Sequence, residues 1–177
     1  MESASTFLYH PRVGILKKQI KVLNNTVEGC ITNTVLKKLN YKGQDPILII
    51  DPPDQFQPVI NGLTAEIHTQ IRRKYDFILF FVRSLADAYN QVEAIVNALE
   101  EGGHLWLCYP KETSKKYEAN INRTRAWDVL SPYDFEAVSQ IAIDDDWSAL
   151  RFKHVDTIKT MRRKTAATPR GKDRIKK

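Results

Sequence analysis

Hydrophobic and polar positions in the middle of the chain alternate between strand-like runs and helix-like stripes. Short apolar runs at 46–51, 76–82 and 104–109 have the pattern of strands buried in a parallel sheet. Between the last two runs, apolar residues recur at helical spacing from Leu85 to Leu99. Ser84 precedes this stripe and has Asp87 three residues later, which is a capping pattern. Alternating strands and helices predict an α/β fold with a mostly parallel sheet.

Weaker patterns flank these elements. A short strand is predicted at 63–68 and a helix from Ser114 to about Leu130. Two closing strands, at about 136–143 and 148–155, surround Asp144-Asp145-Asp146, which is typical of a tight turn. The chain is therefore predicted to end its sheet with an antiparallel hairpin.

The sequence divides into three regions. Residues 1–44 are predicted to form a helical N-terminal extension, residues 45–156 the α/β domain, and residues 157–177 a disordered basic tail with few apolar residues and no period. The helical stripe of the extension consists of Val13, Leu16, Ile20 and Leu23, and a second helix is expected from Val27 to Leu39.

The charge of the chain is concentrated in the tail. From Met161 onward there are eight lysines and arginines and one acidic residue, Asp173, whereas the whole chain has a net charge of +6. The rest of the protein is therefore close to neutral. We expect the tail to bind nucleic-acid phosphates without sequence preference, unless it is only a solvated terminus. The cations predicted to make these contacts are Arg162, Arg163, Lys164, Arg170, Lys172 and Arg174.

Composition excludes several classes of protein. The 177 residues suffice for one globular domain. No apolar run approaches the ~20 residues of a membrane-spanning helix, so no membrane partner is expected. Two cysteines far apart and no visible secretion signal predict a cytoplasmic protein. The four histidines are scattered, so no metal site is predicted.

A candidate ligand site follows from the strand order along the chain. Ligands of open α/β sheets bind beyond the carboxyl ends of the strands. The residues at those ends that we assign to ligand binding are Asp51, Phe56, Arg83, Ser84 and Lys111. Because two cations accompany a helix start, a small anionic ligand is expected. The alternative is that both cations are simply solvated strand ends.

The turn after the first predicted strand bears on cofactors. Its Asp51-Pro52-Pro53 is similar to the start of the Asp/Asn-Pro-Pro-aromatic element of amino-group methyltransferases that act on DNA bases, but Asp54 stands where the aromatic residue should be. The seven glycines never form Gly-x-Gly, so the glycine-rich loops that bind dinucleotides or phosphates are missing. No cofactor is therefore predicted, and S-adenosylmethionine is expected to bind weakly or not at all.

Four segments carry a resemblance to a known family. They are 50–56 (IDPPDQF), 75–84 (YDFILFFVRS), 105–111 (LWLCYPK) and 143–152 (IDDDWSALRF). Together they resemble a family of small uncharacterised bacterial proteins that is similar to class I methyltransferase-like Rossmann folds. The resemblance covers about residues 27–154. It implies a Rossmann-like sheet that ends in a hairpin, with the turn from Pro52 to Phe56 in place of a glycine-rich loop.

The sequence leaves three hypotheses for function. The first is a non-catalytic ligand-binding or scaffold domain with a degenerate cofactor loop, which we favour because no general base, nucleophile or metal cluster emerges and no catalytic residue can be assigned. The second is a divergent transferase that uses S-adenosylmethionine or a nucleotide. The third is a nucleic-acid-associated protein anchored by its basic tail.

Overall fold

The structure is a computed structural model that describes residues 34–161 and 165–175. The predicted stripe that begins at Val13, and the basic residues 162–164, lie outside the described residues. No helix in the described part of the chain is long and apolar enough to cross a membrane.

One six-stranded sheet organises the molecule. Its strand order is β2-β1-β3-β4-β6-β5, with β2, β1, β3 and β4 parallel and with β6 antiparallel to both β4 and β5. The predicted α/β Rossmann-like fold, mostly parallel and closed by a C-terminal hairpin, is thereby confirmed. The strands are β1 (Ile47–Ile50), β2 (Ile67–His68), β3 (Tyr75–Phe81), β4 (Leu99–Pro110), β5 (Phe135–Ala142) and β6 (Trp147–His154).

The apolar runs form strands because both faces of the sheet are buried. In β3, Ile78 and Phe80 belong to one buried cluster, whereas Phe77, Leu79 and Phe81 belong to the other. Since neighbouring side chains of a strand point to opposite faces, a strand covered on both sides must be apolar throughout. That requirement explains why β3 gives the strongest strand pattern in the sequence.

The described residues include five helices, of which the first four cover these two faces. They are α1 (residues 34–38), α2 (Gln57–Asn61), α3 (Leu85–Asn97), α4 (Arg123–Leu130) and α5 (Pro169–Ile175). One buried cluster lies under α3 and α4, and the other lies under α1 and α2. Val35 of α1 and Leu39 beyond it belong to this second cluster, so the described end of the N-terminal extension contributes to the core of the domain.

The predicted helix from Ser114 to Leu130 is shorter than expected. It begins only at Arg123, after Asn122, whose side-chain oxygen accepts a hydrogen bond from the backbone of Arg125 at 3.0 Å. Ser114 instead accepts hydrogen bonds from the backbone of Lys116 and Tyr117 and so stabilises a turn. Serine at such a position fits a turn as well as a helix cap, and tertiary contacts decide between the two here.

Residues 165–175 of the predicted basic tail contact the closing hairpin in the structure. Thr168 is fully buried, and its backbone N–H and hydroxyl both donate to Glu136 of β5, at 2.8 and 2.7 Å. Arg170 adds ion pairs with Asp134 and Asp156. Polar contacts therefore fix the segment to the hairpin. Because these contacts involve polar side chains, the sequence of the segment has no periodic pattern of apolar residues.

Gly171 lets α5 approach Glu136 closely. The side-chain oxygen of Thr168 accepts a hydrogen bond from the backbone of Gly171 at 2.9 Å. A Cβ atom on Gly171 would lie 2.4 Å from Glu136 Oε1 and 2.7 Å from Thr168 Oγ1, much closer than real Cβ contacts allow. A larger residue at this position would thus force Glu136, Thr168 or α5 itself to shift.

We expect Gly171→Ala to destabilise the protein by about 1–3 kcal/mol, because the added methyl group displaces α5 from Glu136. In an unconstrained helix the same change stabilises by about 1 kcal/mol. Denaturant unfolding measures the effect, with limited proteolysis reporting release of the tail. Lys172→Ala, at the exposed next position, is the matched control and should change little. A Gly171→Ala protein as stable as the natural one would show that the close contact does not hold the tail.

Candidate functional site

The strand order changes direction at the carboxyl ends of β1 and β3. From β1 the chain proceeds to β2 on one side and then crosses to β3 on the other. In open α/β sheets the crevice at such a switch point is where ligands bind. A cleft of about 400 Å³ occupies this position. Its walls are formed by Asp51, Pro52, Phe81, Arg83, Asp87 and Gln91.

The β1 turn forms one side of the cleft. Asp51 directly follows β1 with φ of +49°, a left-handed conformation that aspartate and asparagine tolerate better than most residues. Pro53 is buried, and Phe56 packs against Phe81 with ring centroids 5.0 Å apart. Phe56 is 1% exposed and does not line the cleft, so the structure places this predicted ligand residue in the core.

The start of α3 forms the other side. Ser84 and Asp87 make the predicted capping box, because Asp87 donates its N–H to the Ser84 hydroxyl at 3.1 Å and its carboxylate accepts from the N–H of Ser84 at 3.0 Å. The same carboxylate accepts from the N–H of Arg83 at 3.3 Å. The helix start therefore has its own anion, which repels a second one.

The cleft has more acidic than basic groups. Asp51 and Asp87 are opposed by Arg83 alone, so the formal charge of its lining is negative. Gln91, one turn along α3 from Asp87, donates to Asp51 Oδ2 at 3.3 Å. The Arg83 guanidinium lies over the ring of Tyr117, 5.7 Å from its centroid, a cation–π contact that orients it. Such a cleft favours ligands with cationic or hydrogen-bond-donating groups.

Lys111 is not part of this lining. Its side-chain ammonium group donates to the backbone carbonyl of Asp144, and its backbone N–H donates to the backbone carbonyl of Asp146 at 2.7 Å. The two cations that the sequence assigned to one ligand, Arg83 and Lys111, thus have different partners. Binding of a small anion by the pair stays a prediction.

A polar cluster around Gln55 joins three loops at the same edge of the sheet. Gln55 Nε2 donates to Asp144 Oδ2 at 3.0 Å and to Asp146 Oδ2 at 3.3 Å. Its Oε1 accepts from Lys116 Nζ at 2.9 Å and from the Tyr117 hydroxyl at 3.0 Å. Sequence analysis missed this cluster because Gln55 is 89 residues from Asp144 and 62 from Tyr117, and no local pattern marks such partners.

The acidic turn is a structural element of this cluster. Asp144 Oδ1 accepts hydrogen bonds from the backbone of Asp146 and Trp147 at 2.8 and 2.7 Å, which closes the predicted hairpin turn. Across residues 34–161 and 165–175, no three His, Cys, Asp or Glu side chains are arranged to hold a metal ion.

The basic tail residues have mixed surroundings. Arg170 pairs with Asp156 at 2.6 Å and with Asp134 at 3.3 Å, and Arg174 donates to the carbonyls of Val155 and Ile158. Lys172 is exposed, while residues 162–164 are outside the described part. Two of the six predicted nucleic-acid contacts therefore help to hold α5 in place. Nucleic-acid binding by the tail stays a prediction.

Comparison with solved structures finds distant similarity to several methyltransferases. An S-adenosylmethionine-dependent methyltransferase from Clostridium acetobutylicum is 10% identical, with a TM-score of 0.45 over 71% of this chain and 89% of that one. The N-methyltransferase NodS from Bradyrhizobium japonicum is 12% identical, with a TM-score of 0.45 over 70% of this chain and 93% of that one. The magnesium protoporphyrin IX methyltransferase ChlM from Synechocystis is 9% identical, with a TM-score of 0.44 over 85% of this chain and 86% of that one.

Sequence comparisons find no relatives. No family model matches the chain, and no curated protein sequence matches it. The sheet with a closing hairpin that the resemblance implied is confirmed by the strand order. The likeness to methyltransferases and membership of a particular family of uncharacterised bacterial proteins stay predictions.

We expect Gln55→Glu to destabilise the protein by about 1–3 kcal/mol at neutral pH. The change removes the donor to Asp144 and Asp146 and puts a third carboxylate beside them. Denaturant unfolding at pH 7 and pH 4 measures the effect, which should shrink at the lower pH as carboxylates take up protons. Gln57→Glu, at the exposed start of α2, is the control and should be nearly neutral. Equal stability of the two variants would mean that the Gln55 cluster does not hold the loops.

Proposed function

We propose that this chain binds an S-adenosylmethionine-type ligand in the cleft between Asp51 and α3 and acts as a divergent transferase. The observation that carries the proposal is the charge of the cleft, where Asp51 and Asp87 face a single guanidinium, Arg83. A ligand suits this lining if it has one more positive than negative charge. S-adenosylmethionine has that balance, with a sulfonium, an ammonium and a carboxylate.

The side chains of the cleft complement such a ligand group by group. Asp51 and Asp87 can accept hydrogen bonds from an ammonium group or from ribose hydroxyls, and Arg83 can pair with a carboxylate. Phe81 and Pro52 supply apolar surface beneath them. Nucleoside di- and triphosphates are disfavoured because their several negative charges would meet two carboxylates. Of the two transferase cofactor classes considered from the sequence, the cleft therefore favours the S-adenosyl compound.

The β1 turn changes how the ligand is held. Pro52 and Pro53 lack the backbone N–H groups that a glycine-rich loop would offer, and their rings occupy space at the turn. Side chains must replace those backbone contacts, so we expect weaker binding than a glycine-rich loop gives. The sequence predicts weak binding or none, and this proposal takes the first of these two outcomes.

When bound, S-adenosylmethionine supplies an activated methyl group. The residues of this chain would hold and orient it, with Arg83 fixed over Tyr117 and Asp87 fixed by Ser84. Gln91 would share Asp51 with the ligand. The two carboxylates and the guanidinium of the cleft would thus select ligands by their charge.

Calorimetry with S-adenosylmethionine, S-adenosylhomocysteine and ATP tests the proposal. We expect S-adenosylmethionine to bind more tightly than S-adenosylhomocysteine, which lacks the sulfonium charge, and ATP to bind least. Asp51→Asn should weaken S-adenosylmethionine binding about tenfold or more, because a charge-assisted contact becomes neutral. Asparagine tolerates the left-handed conformation of this position, so the fold should be kept.

Asp54→Asn is the matched control, since Asp54 is exposed on the same turn but does not line the cleft. It should bind S-adenosylmethionine as the natural protein does. Tighter binding of ATP, equal loss in both variants, or no binding of S-adenosylmethionine at millimolar concentration would overturn the proposal.

A further inference from the structure

Four polar side chains form a square on the sheet, well away from the cleft. Trp106 of β4 lies directly opposite Arg151 of β6 in the antiparallel register. His104 precedes Trp106 by two residues and Lys153 follows Arg151 by two. In the antiparallel register they are therefore the next pair on the same face. Phe77 is the β3 neighbour of His104, and it is four residues, or about 13 Å, from the cleft residue Phe81.

Three nitrogen atoms of this square are buried without a hydrogen-bond partner among residues 34–161 and 165–175. They are His104 Nδ1, Trp106 Nε1 and Arg151 Nε. Trp106 is 1% exposed. Buried polar groups in proteins are nearly always hydrogen-bonded, so three unpartnered nitrogens on adjacent positions of two paired strands indicate a missing acceptor.

The charges around the square are mostly positive. Burial and the nearby cations Arg151, Lys153 and Lys42 lower the pKa of His104 to about 4, with Asp76 opposing them. His104 is therefore neutral at pH 7, and one of its ring nitrogens is free to donate. Glu136 lies opposite Lys153 on β5, but its oxygens accept hydrogen bonds from Ala167 and Thr168.

We propose that His104, Trp106, Arg151 and Lys153 bind the phosphate group of a small molecule. With the proton of the neutral His104 ring on Nδ1, all three unpartnered nitrogens are donors, and the unprotonated oxygens of an oxyanion can accept from them at once. A phosphate offers more lone pairs and more charge than a carboxylate, which matches the two cations Arg151 and Lys153 and several N–H donors. The side chains of His104, Arg151 and Lys153 are partly exposed, so this side of the square is in contact with solvent.

Titration with inorganic phosphate at pH 7 and constant ionic strength tests the site. The NMR signals of the Trp106 indole N–H and the His104 ring report binding directly, and we expect both to shift saturably. Bound phosphate favours the charged imidazole, so the titration midpoint of His104 should also rise. Acetate at the same ionic strength should bind more weakly.

Arg151→Met keeps the apolar length of the side chain and should weaken phosphate binding about tenfold or more. Arg125→Met, on the exposed side of α4, is the matched control and should have no effect. Lys153→Gln, at a partly exposed position, should weaken binding severalfold and decides the matter if Arg151→Met fails to fold. The proposal is overturned if phosphate leaves both signals unchanged, if the folded variants bind as the natural protein does, or if acetate binds as tightly as phosphate.

Discussion

Burial of β3 on both faces is the constraint on which the rest of the structure depends. Its residues Phe77–Phe81 belong alternately to the two hydrophobic clusters, and β1 and β4 pair with it on either side. A parallel strand in this position needs helices above and below the sheet. The crossover that places β3 on the opposite side of β1 from β2 also creates the cleft at their carboxyl ends.

Strands and caps were predictable from the sequence because their signals are local. The run at 76–82 and the Ser84/Asp87 capping pattern both correspond to observed elements. The start of α4 was predicted too early, since Ser114 fits a turn and a helix cap equally well until its contact with Asp146 is known. The tail was predicted to be disordered because a search for apolar periods cannot detect the contacts of Thr168 with Glu136.

The candidate site was predictable in position but only partly in composition. The rule for α/β sheets placed Asp51 and Arg83 at the edge where the cleft lies. It could not show that Asp87 and Gln91 face the same cleft, because this depends on how α3 packs. It also grouped Lys111 with Arg83, although the hairpin turn holds Lys111 elsewhere. The sequence predicted a positively charged site, whereas the lining of the cleft has a negative formal charge. The difference arises because Asp87 lines the cleft and Lys111 does not.

Hydrogen–deuterium exchange with and without S-adenosylmethionine locates the ligand without any substitution. We expect protection of the backbone amides at Asp51 and from Arg83 to Gln91, on the two sides of the cleft. Amides of the described hairpin strands, β5 and β6, should exchange as before. Unchanged exchange at the cleft under saturating ligand, or protection confined to the hairpin, would contradict binding of S-adenosylmethionine in the cleft.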